Sequence, residues 1–161
     1  LAKIINLESQ NKLKILYQAD FNLWLEETAN FLRQGKLEQL DRENLIEEIE
    51  AMGRSEKRAL VSLLTRLFEH LLKLTYWTAE QEYNYRHWRG EILNFRKQIK
   101  KELQASPSLT PYLSQIQDEC YQDAREIVAE LSSLPLETFP VQGFGNLEQV
   151  LDEQWFPKSP I

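Results

Sequence analysis

Cysteine is almost absent from this sequence, because Cys120 is the only one among 161 residues. A single thiol can form neither an intramolecular disulfide nor a thiolate metal cage, so the sequence favours a reducing, cytoplasmic compartment. Cys120 lies at helical spacing between Ile116 and Ile127. This spacing predicts a buried and unreactive side chain, since free cysteine packs as a small apolar residue.

Long apolar runs are also absent. No stretch approaches the ~20 apolar residues that a membrane-spanning helix needs, and the start lacks the basic-then-apolar order of a secretory signal. We therefore expect a soluble chain that neither spans a membrane nor is secreted. The net charge of -6 disfavours attraction of the whole molecule to nucleic acid or to anionic lipid.

Glycine and proline are scarce, with 5 and 6 residues, and all six prolines lie beyond position 106. The first two thirds of the chain therefore contain few interruptions to long helices. We find no internal repeat and no pair of strands with a turn signal. The sequence predicts one all-α domain over 1–161, a bundle of four to six helices with a mostly irregular tail over 135–161.

Apolar residues spaced by three and four place the first helices. The first runs from about Ile4 to Tyr17, with Ile4 and Leu7 in its apolar pattern. The second follows Asp20 as N-cap and ends at Gly35. The third follows Asp41 and is interrupted at Gly53. Its predicted buried stripe is Leu45, Ile49 and Met52, while the residues predicted to face water are Glu43, Glu47 and Glu50.

The later segments follow the same logic. Ser55 is predicted to start a further helix, whose leucines between Leu60 and Leu74 cover an arc wide enough for a central, buried position. Residues 78–84 are polar and predict a connection, with Asn84 as a possible cap. A single apolar face then predicts a helix that ends at Ser106-Pro107; its members are Trp88, Ile92, Phe95, Ile99 and Leu103.

A last long helix is predicted to start at Ser106-Pro107 or at Thr110-Pro111. Its predicted buried stripe is Leu113, Ile116, Cys120, Ala124, Ile127 and Leu131. In the tail, only 146–151 has the pattern of a short capped helix. We expect the tail to pack over the bundle through Phe139, Phe144, Trp155 and Phe156.

Several runs of residues resemble a known family. The longest is Glu-Asn-Leu-Ile-Glu-Glu-Ile-Glu-Ala-Met-Gly-Arg-Ser-Glu-Lys-Arg-Ala-Leu at 43–60. Shorter runs lie at 24–28, 70–73, 106–109, 121–125, 136–140 and 147–152. Over about 17–156 the sequence is similar to the family called domain of unknown function 29. The resemblance implies a compact helical fold, a largely cyanobacterial origin and no established activity.

Four ionisable residues lie on or beside the predicted apolar stripes: Glu27, Glu48, His70 and Asp123. A buried charge is costly unless it is paired, so these side chains could converge on a metal or acid-base site inside the bundle. However, the motifs Glu-x-x-His and His-Glu-x-x-His are absent, and we predict no metal and no cofactor. The favoured interpretation is a satisfied core histidine, with the acids paired to Lys, Arg, Asn44 or tyrosine hydroxyls.

A second candidate is the basic helix over 86–101, where Glu91 is the only acidic residue. Its candidate anion-binding or partner-binding residues are Arg86, Arg89, Arg96, Lys97, Lys100 and Lys101. Tyr83, Tyr85 and Trp88 are interleaved, as in a surface that contacts phosphates and stacks on bases. Because Trp88 also fits the core stripe, a solvated face or a protein contact is favoured over nucleic acid.

The sequence contains no glycine-rich phosphate loop and no nucleophile elbow. The favoured function is therefore a non-catalytic helical protein-interaction module, in which the oppositely charged helices 43–50 and 86–101 steer association with itself or with a partner. A metal-dependent or small-molecule enzyme using the four polar candidates is the first alternative. Weak nucleic-acid binding through the basic helix is the second.

Overall fold

A computed structural model describes residues 2–158, with side chains from Glu8 onward. Within this range the chain is all-α and contains no strand, which confirms the predicted fold class. The six α-helices are α1 (Ala2–Ala19), α2 (Phe21–Arg33), α3 (Arg42–Tyr76), α4 (Thr78–Ala105), α5 (Thr110–Ser132) and α6 (Leu147–Leu151). Three short 3-10 helices cover Leu37–Gln39, Pro107–Leu109 and Leu136–Thr138. In this part of the chain no helix is both long and apolar enough to cross a bilayer.

The chain divides into two compact units, with the boundary between Ser55 and Glu56. The interpretation of the chain as a single domain therefore stays a prediction. The first unit contains α1, α2 and the start of α3. The predicted ends of α2 are confirmed: the Asp20 carboxylate accepts from the Leu23 amide at 3.0 Å, and Gly35 adopts a φ of 69°. The predicted side chains of Ile4 and Leu7 lie outside the described residues.

The C-terminus of α2 shows why glycine is required there. The Gly35 amide donates to the Leu32 carbonyl at 3.1 Å, and the Lys36 amide donates to Phe31 at 3.0 Å. This pair of bonds satisfies the last carbonyls of the helix when the residue after the cap is left-handed, a conformation that glycine adopts without strain. The chain then reaches Asp41, which directly precedes α3 as predicted and accepts from the Asn44 side-chain amide at 2.6 Å.

The second unit contains most of α3, followed by α4, α5 and the tail. The Ser106 hydroxyl, at the end of α4, donates to the Glu56 carboxylate on α3 at 3.2 Å, so these two helices run antiparallel. The buried leucines of α3 confirm the predicted central helix. Cys120 is buried on α5, as predicted, and its thiol donates to the Val61 carbonyl at 3.7 Å.

Three predicted helix boundaries are wrong. α3 is continuous through Gly53 and Ser55, because the cost of about 1 kcal/mol for a glycine inside a helix is small beside the burial of the leucines that follow. Residues 78–84 belong to α4, and only Trp77 separates α3 from α4. Asn84 is therefore not a cap, and its side chain donates to the Glu80 carbonyl at 3.1 Å inside the helix.

The predicted stripe of α5 is right for its first four residues, Leu113, Ile116, Cys120 and Ala124. Ile127 and Leu131 are exposed, and Val128 is buried instead, because the buried residues Cys120, Ala124 and Val128 follow each other by four. The predicted tail anchors are confirmed: Phe139 is fully buried, and the other three anchors pack against the same core. The predicted short helix is also present, capped by the Asn146 side chain, which accepts from the Gln149 amide at 2.9 Å.

We predict that Gly53→Ala stabilises the protein by about 1 kcal/mol, because a Cβ at this position meets no atom within 4 Å. The matched variant Gly35→Ala should destabilise it by about 1 kcal/mol, since alanine is strained at positive φ. Urea unfolding followed by circular dichroism measures both. A loss of stability in Gly53→Ala would contradict a continuous helix through this position and would support the predicted interruption.

Candidate functional site

The four polar candidates do not form one metal site. Glu27 and Glu48 are half-buried in the first unit, and His70 is half-buried in the second. Asp123, which was predicted to lie on or beside a buried stripe, is exposed on α5, whereas Cys120 and Ala124 are buried. Among residues 2–158, no group of three or more His, Cys, Asp or Glu side chains is placed to hold a metal ion.

Glu48 has a partner of the kind that the favoured interpretation expected. The Tyr17 hydroxyl donates to the Glu48 carboxylate at 2.5 Å. This hydrogen bond, with smaller contributions from desolvation and nearby acids, raises the pKa of Tyr17 above its usual range. The pair therefore joins α1 to the start of α3 inside the first unit.

His70 has the surroundings of a structural histidine. Its Nδ1 lies 2.8 Å from the Arg66 carbonyl, one helical turn earlier. Its ring packs against Phe95, with 5.2 Å between the ring centroids. Burial lowers the pKa of His70 below its usual value, although the bond to Arg66 and the charge of Glu91 act in the opposite direction. The imidazole therefore contributes to packing and has no second polar partner among the described side chains.

The basic helix is only partly a surface, because Arg96 is fully buried. Its Nε donates to the Val150 carbonyl and its Nη1 to the Trp155 carbonyl, both at 2.8 Å. Burial lowers the pKa of Arg96 to about 10, opposed by the charges of Asp152 and Glu153. The prediction of Arg96 as an anion-binding or partner-binding residue is wrong, because the side chain is fully buried and two of its three nitrogens donate to backbone carbonyls of the tail. Its Nη2 is buried without a hydrogen-bond partner among the described residues.

Two further members of the basic set also contact the tail. The Arg89 guanidinium lies 3.5 Å from the centroid of the Phe156 ring, a cation-π contact. Lys100 pairs with Glu153 at 3.0 Å. The residues of the set that remain exposed are Arg86, Lys97 and Lys101. Half of the predicted basic face is therefore used to hold the C-terminal segment against α4.

The first unit contains a feature that the sequence pattern did not reveal, an exposed apolar stripe on α3. Ile46, Ile49 and Met52 are 56%, 60% and 69% exposed. The prediction that Ile49 and Met52 lie in a buried stripe is therefore wrong. The predicted exposure of the acidic residues Glu43, Glu47 and Glu50 is confirmed. We call the set Ile46, Ile49 and Met52 the α3 stripe.

The polarity of α3 is inverted at the α3 stripe. The half-buried residues in this segment of α3 are Asn44, Leu45, Glu48 and Ala51, most of which are polar or small. The large apolar residues of the α3 stripe are exposed instead. The spacing 44, 48 and 51 is itself helical, and this second stripe was the sequence signal for the packed face. An apolar pattern alone cannot distinguish a side chain that faces the core from one that faces a partner.

A family model described as Domain of unknown function DUF29 matches residues 16–156. The chain belongs to the DUF29 family. The match spans both units of this DUF29 protein, including the α3 stripe and the tail contacts. No curated protein and no solved structure matches the chain.

We predict that His70 in this DUF29 protein titrates below its usual pKa of about 6.5, because burial disfavours the imidazolium. Its contribution to stability is then fully present above about pH 6.5 and is lost as the pH falls from there through the lower folded-state pKa. Proton NMR on the His87→Gln variant, which retains one imidazole, measures the titration. In denaturant unfolding, His70→Gln should lose less stability than the wild type between pH 7 and pH 5; an equal loss contradicts the assignment.

We predict that Arg96→Met lowers the free energy of unfolding by about 1–3 kcal/mol, because the Val150 and Trp155 carbonyls lose their donors. The tail should also become sensitive to limited proteolysis. The matched control is Lys97→Met, at the next position on α4 and exposed, which should change stability by less than about 0.5 kcal/mol. Unchanged protease resistance in Arg96→Met would show that the tail does not depend on this side chain.

Proposed function

We propose that this DUF29 protein is a non-catalytic protein-interaction module that binds through its first unit. The observation that supports this most strongly is the α3 stripe, where Ile46, Ile49 and Met52 are exposed while Glu48 on the same helix is half-buried. Contiguous exposed apolar patches larger than a few hundred Å² are uncommon on monomeric proteins and mark interaction sites. Covering it with another protein surface would gain about 25 cal/mol per Å² of apolar area.

The first unit has other exposed apolar residues that fit this proposal. On α1, Ile15 is exposed and lines an open cavity of about 710 Å³ together with Asn11, Lys14 and Gln18. Residues 15–52 contain nine of the fifteen large apolar side chains that are exposed in the described part of the chain. The second unit is the longer of the two, so the concentration favours the first unit as the binding unit.

We infer that the charge which attracts a partner lies on α3 alone, rather than on both charged helices. Helices 43–50 and 86–101 were predicted to attract partners through opposite charge. Glu43, Glu47 and Glu50 on α3 are exposed and form exposed ion pairs with Lys14 and Arg54. On the basic helix, Arg89, Arg96 and Lys100 contact the tail. We therefore place the steering charge on the acidic residues beside the α3 stripe.

Neither alternative function has comparable support. An enzyme using Glu27, Glu48, His70 and Asp123 would need these side chains to converge, and Asp123 is exposed while Glu48 is bonded to Tyr17. Nucleic-acid binding would need the basic helix free, and three of its six cations are engaged. A cytoplasmic location and a cyanobacterial origin stay predictions.

A photo-crosslinking amino acid at position 49 tests the proposal in cells that express the full chain. We expect covalent adducts with protein, because the side chain at this position would be covered by a partner. The matched control is the same amino acid at Asp123, which is exposed on α5 outside the α3 stripe and should give few adducts. Absence of protein adducts from position 49 would contradict an interaction role for the α3 stripe.

A further inference from the structure

We propose that the partner of the α3 stripe is a second copy of this chain, bound with the two α3 helices antiparallel across a two-fold axis near Ile49. This inference rests on the proposed function and names its partner. Two-fold dimers use the same surface patch on both copies, so the patch must complement itself. The residues of α3 meet this requirement in spacing, in size and in charge.

The spacing of the α3 stripe is symmetric about Ile49. Ile46 lies three residues before it and Met52 three residues after it. A two-fold axis at Ile49 therefore places Ile46 of one copy opposite Met52 of the other, and Ile49 opposite itself. All three side chains are more than half exposed in the single chain, so each has apolar surface to bury in such a contact.

The sizes of the flanking residues also match. Leu45 and Gly53 lie four residues before and after Ile49, so the same axis places the leucine of one copy opposite the glycine of the other. A Cβ at Gly53 would meet no atom of its own chain within 4 Å. The open surface above Gly53 therefore leaves room for this leucine side chain.

The charges along α3 select an antiparallel second copy. Residues 42–50 contain four glutamates and one arginine, and residues 51–59 contain Arg54, Lys57 and Arg58 with one glutamate. With the axis at Ile49, an antiparallel pair places residues 51–58 of each chain beside residues 40–47 of the other, which contain Asp41, Glu43 and Glu47 with one arginine. A parallel pair would place like charges side by side, which opposes association.

The ion pairs within one chain leave this attraction available. Arg54 pairs with Glu47 at 2.5 Å and lies 3.9 Å from Glu50, and all three side chains are largely exposed. Exposed pairs of this kind contribute little to stability, so exchanging them for contacts with a second copy costs little. Arg42 is exposed at the acidic end of the helix. It lies seven residues before Ile49, so the two-fold axis places it opposite Glu56 of the other copy, the single acidic residue of the basic half.

Sedimentation equilibrium of the purified full chain measures the oligomeric state. We expect a mass of two chains of 19.1 kDa each. Ile49→Glu should weaken the dimer at least about tenfold, since two carboxylates would meet at the axis in place of two isoleucine side chains. The matched control Leu131→Glu changes an exposed apolar residue of α5 and should leave the dimer intact. Because both side chains are exposed, circular dichroism should show both variants folded.

Disulfide crosslinking tests the orientation. Ile49→Cys should crosslink with itself, and a mixture of Ile46→Cys and Met52→Cys should form a crosslink between the two variants. Ile46→Cys alone should not, because two copies of this position would lie six residues, or about 9 Å, apart along the helix axis. The native Cys120 is buried and gives a low background. Efficient self-crosslinking of Ile46→Cys would overturn the antiparallel arrangement.

The outcomes separate self-association from the proposed function. A chain that stays monomeric at all concentrations, but whose position 49 photo-crosslinks to a different protein, overturns self-association and leaves the interaction role standing. A monomeric chain without adducts overturns both. A dimer that persists in Ile49→Glu also overturns the inference, because its interface then lies elsewhere.

Discussion

Burial of the leucine-rich face of α3 is the interaction on which the second unit depends. From Leu60 to Leu74 this face is covered by α4, α5 and the tail. Each fully buried leucine contributes roughly 1.5–3 kcal/mol relative to an exposed one. This burial also explains the length of α3: extending a helix that is already held by packing costs little, and Gly53 does not stop it.

The same core determines what the basic residues of α4 can do. Trp88, Ile92, Phe95 and Ile99 direct one face of α4 into the core, and the tail covers the neighbouring face. Arg96 is buried, and its Nε and Nη1 donate to backbone carbonyls of the tail. The count of positive charges along α4 therefore predicted a larger basic surface than the structure has, because three of the six cations hold the tail.

The sequence predicted the helical fold, the caps at Asp20 and Asn146, the glycine at the end of α2 and the aromatic anchors of the tail. These features depend on local rules or on the size of apolar side chains. The wrong predictions share another origin. Gly53, Ser55 and Asn84 only weakly disfavour the interior of a helix, and packing overrides this preference. Asp123 is exposed although it was expected on or beside a buried stripe, and Arg96 is buried although it was expected on a binding surface. Burial depends on tertiary packing, which sequence spacing does not specify.

The error at Ile49 and Met52 differs from these, and it leads to the interaction proposal. Periodicity predicted a buried stripe at Leu45, Ile49 and Met52 and a second one, on a separate helix, from Leu60 to Leu74. Both stripes lie on α3, but only the second is buried. In the second unit other helices cover this face, and in the first unit the packed residues are Asn44, Glu48 and Ala51. An apolar pattern therefore does not tell whether a face is covered by the same chain, by another chain or by neither. Because the described residues leave the α3 stripe exposed, its cover by a second copy is the proposal that the exposed side chains support.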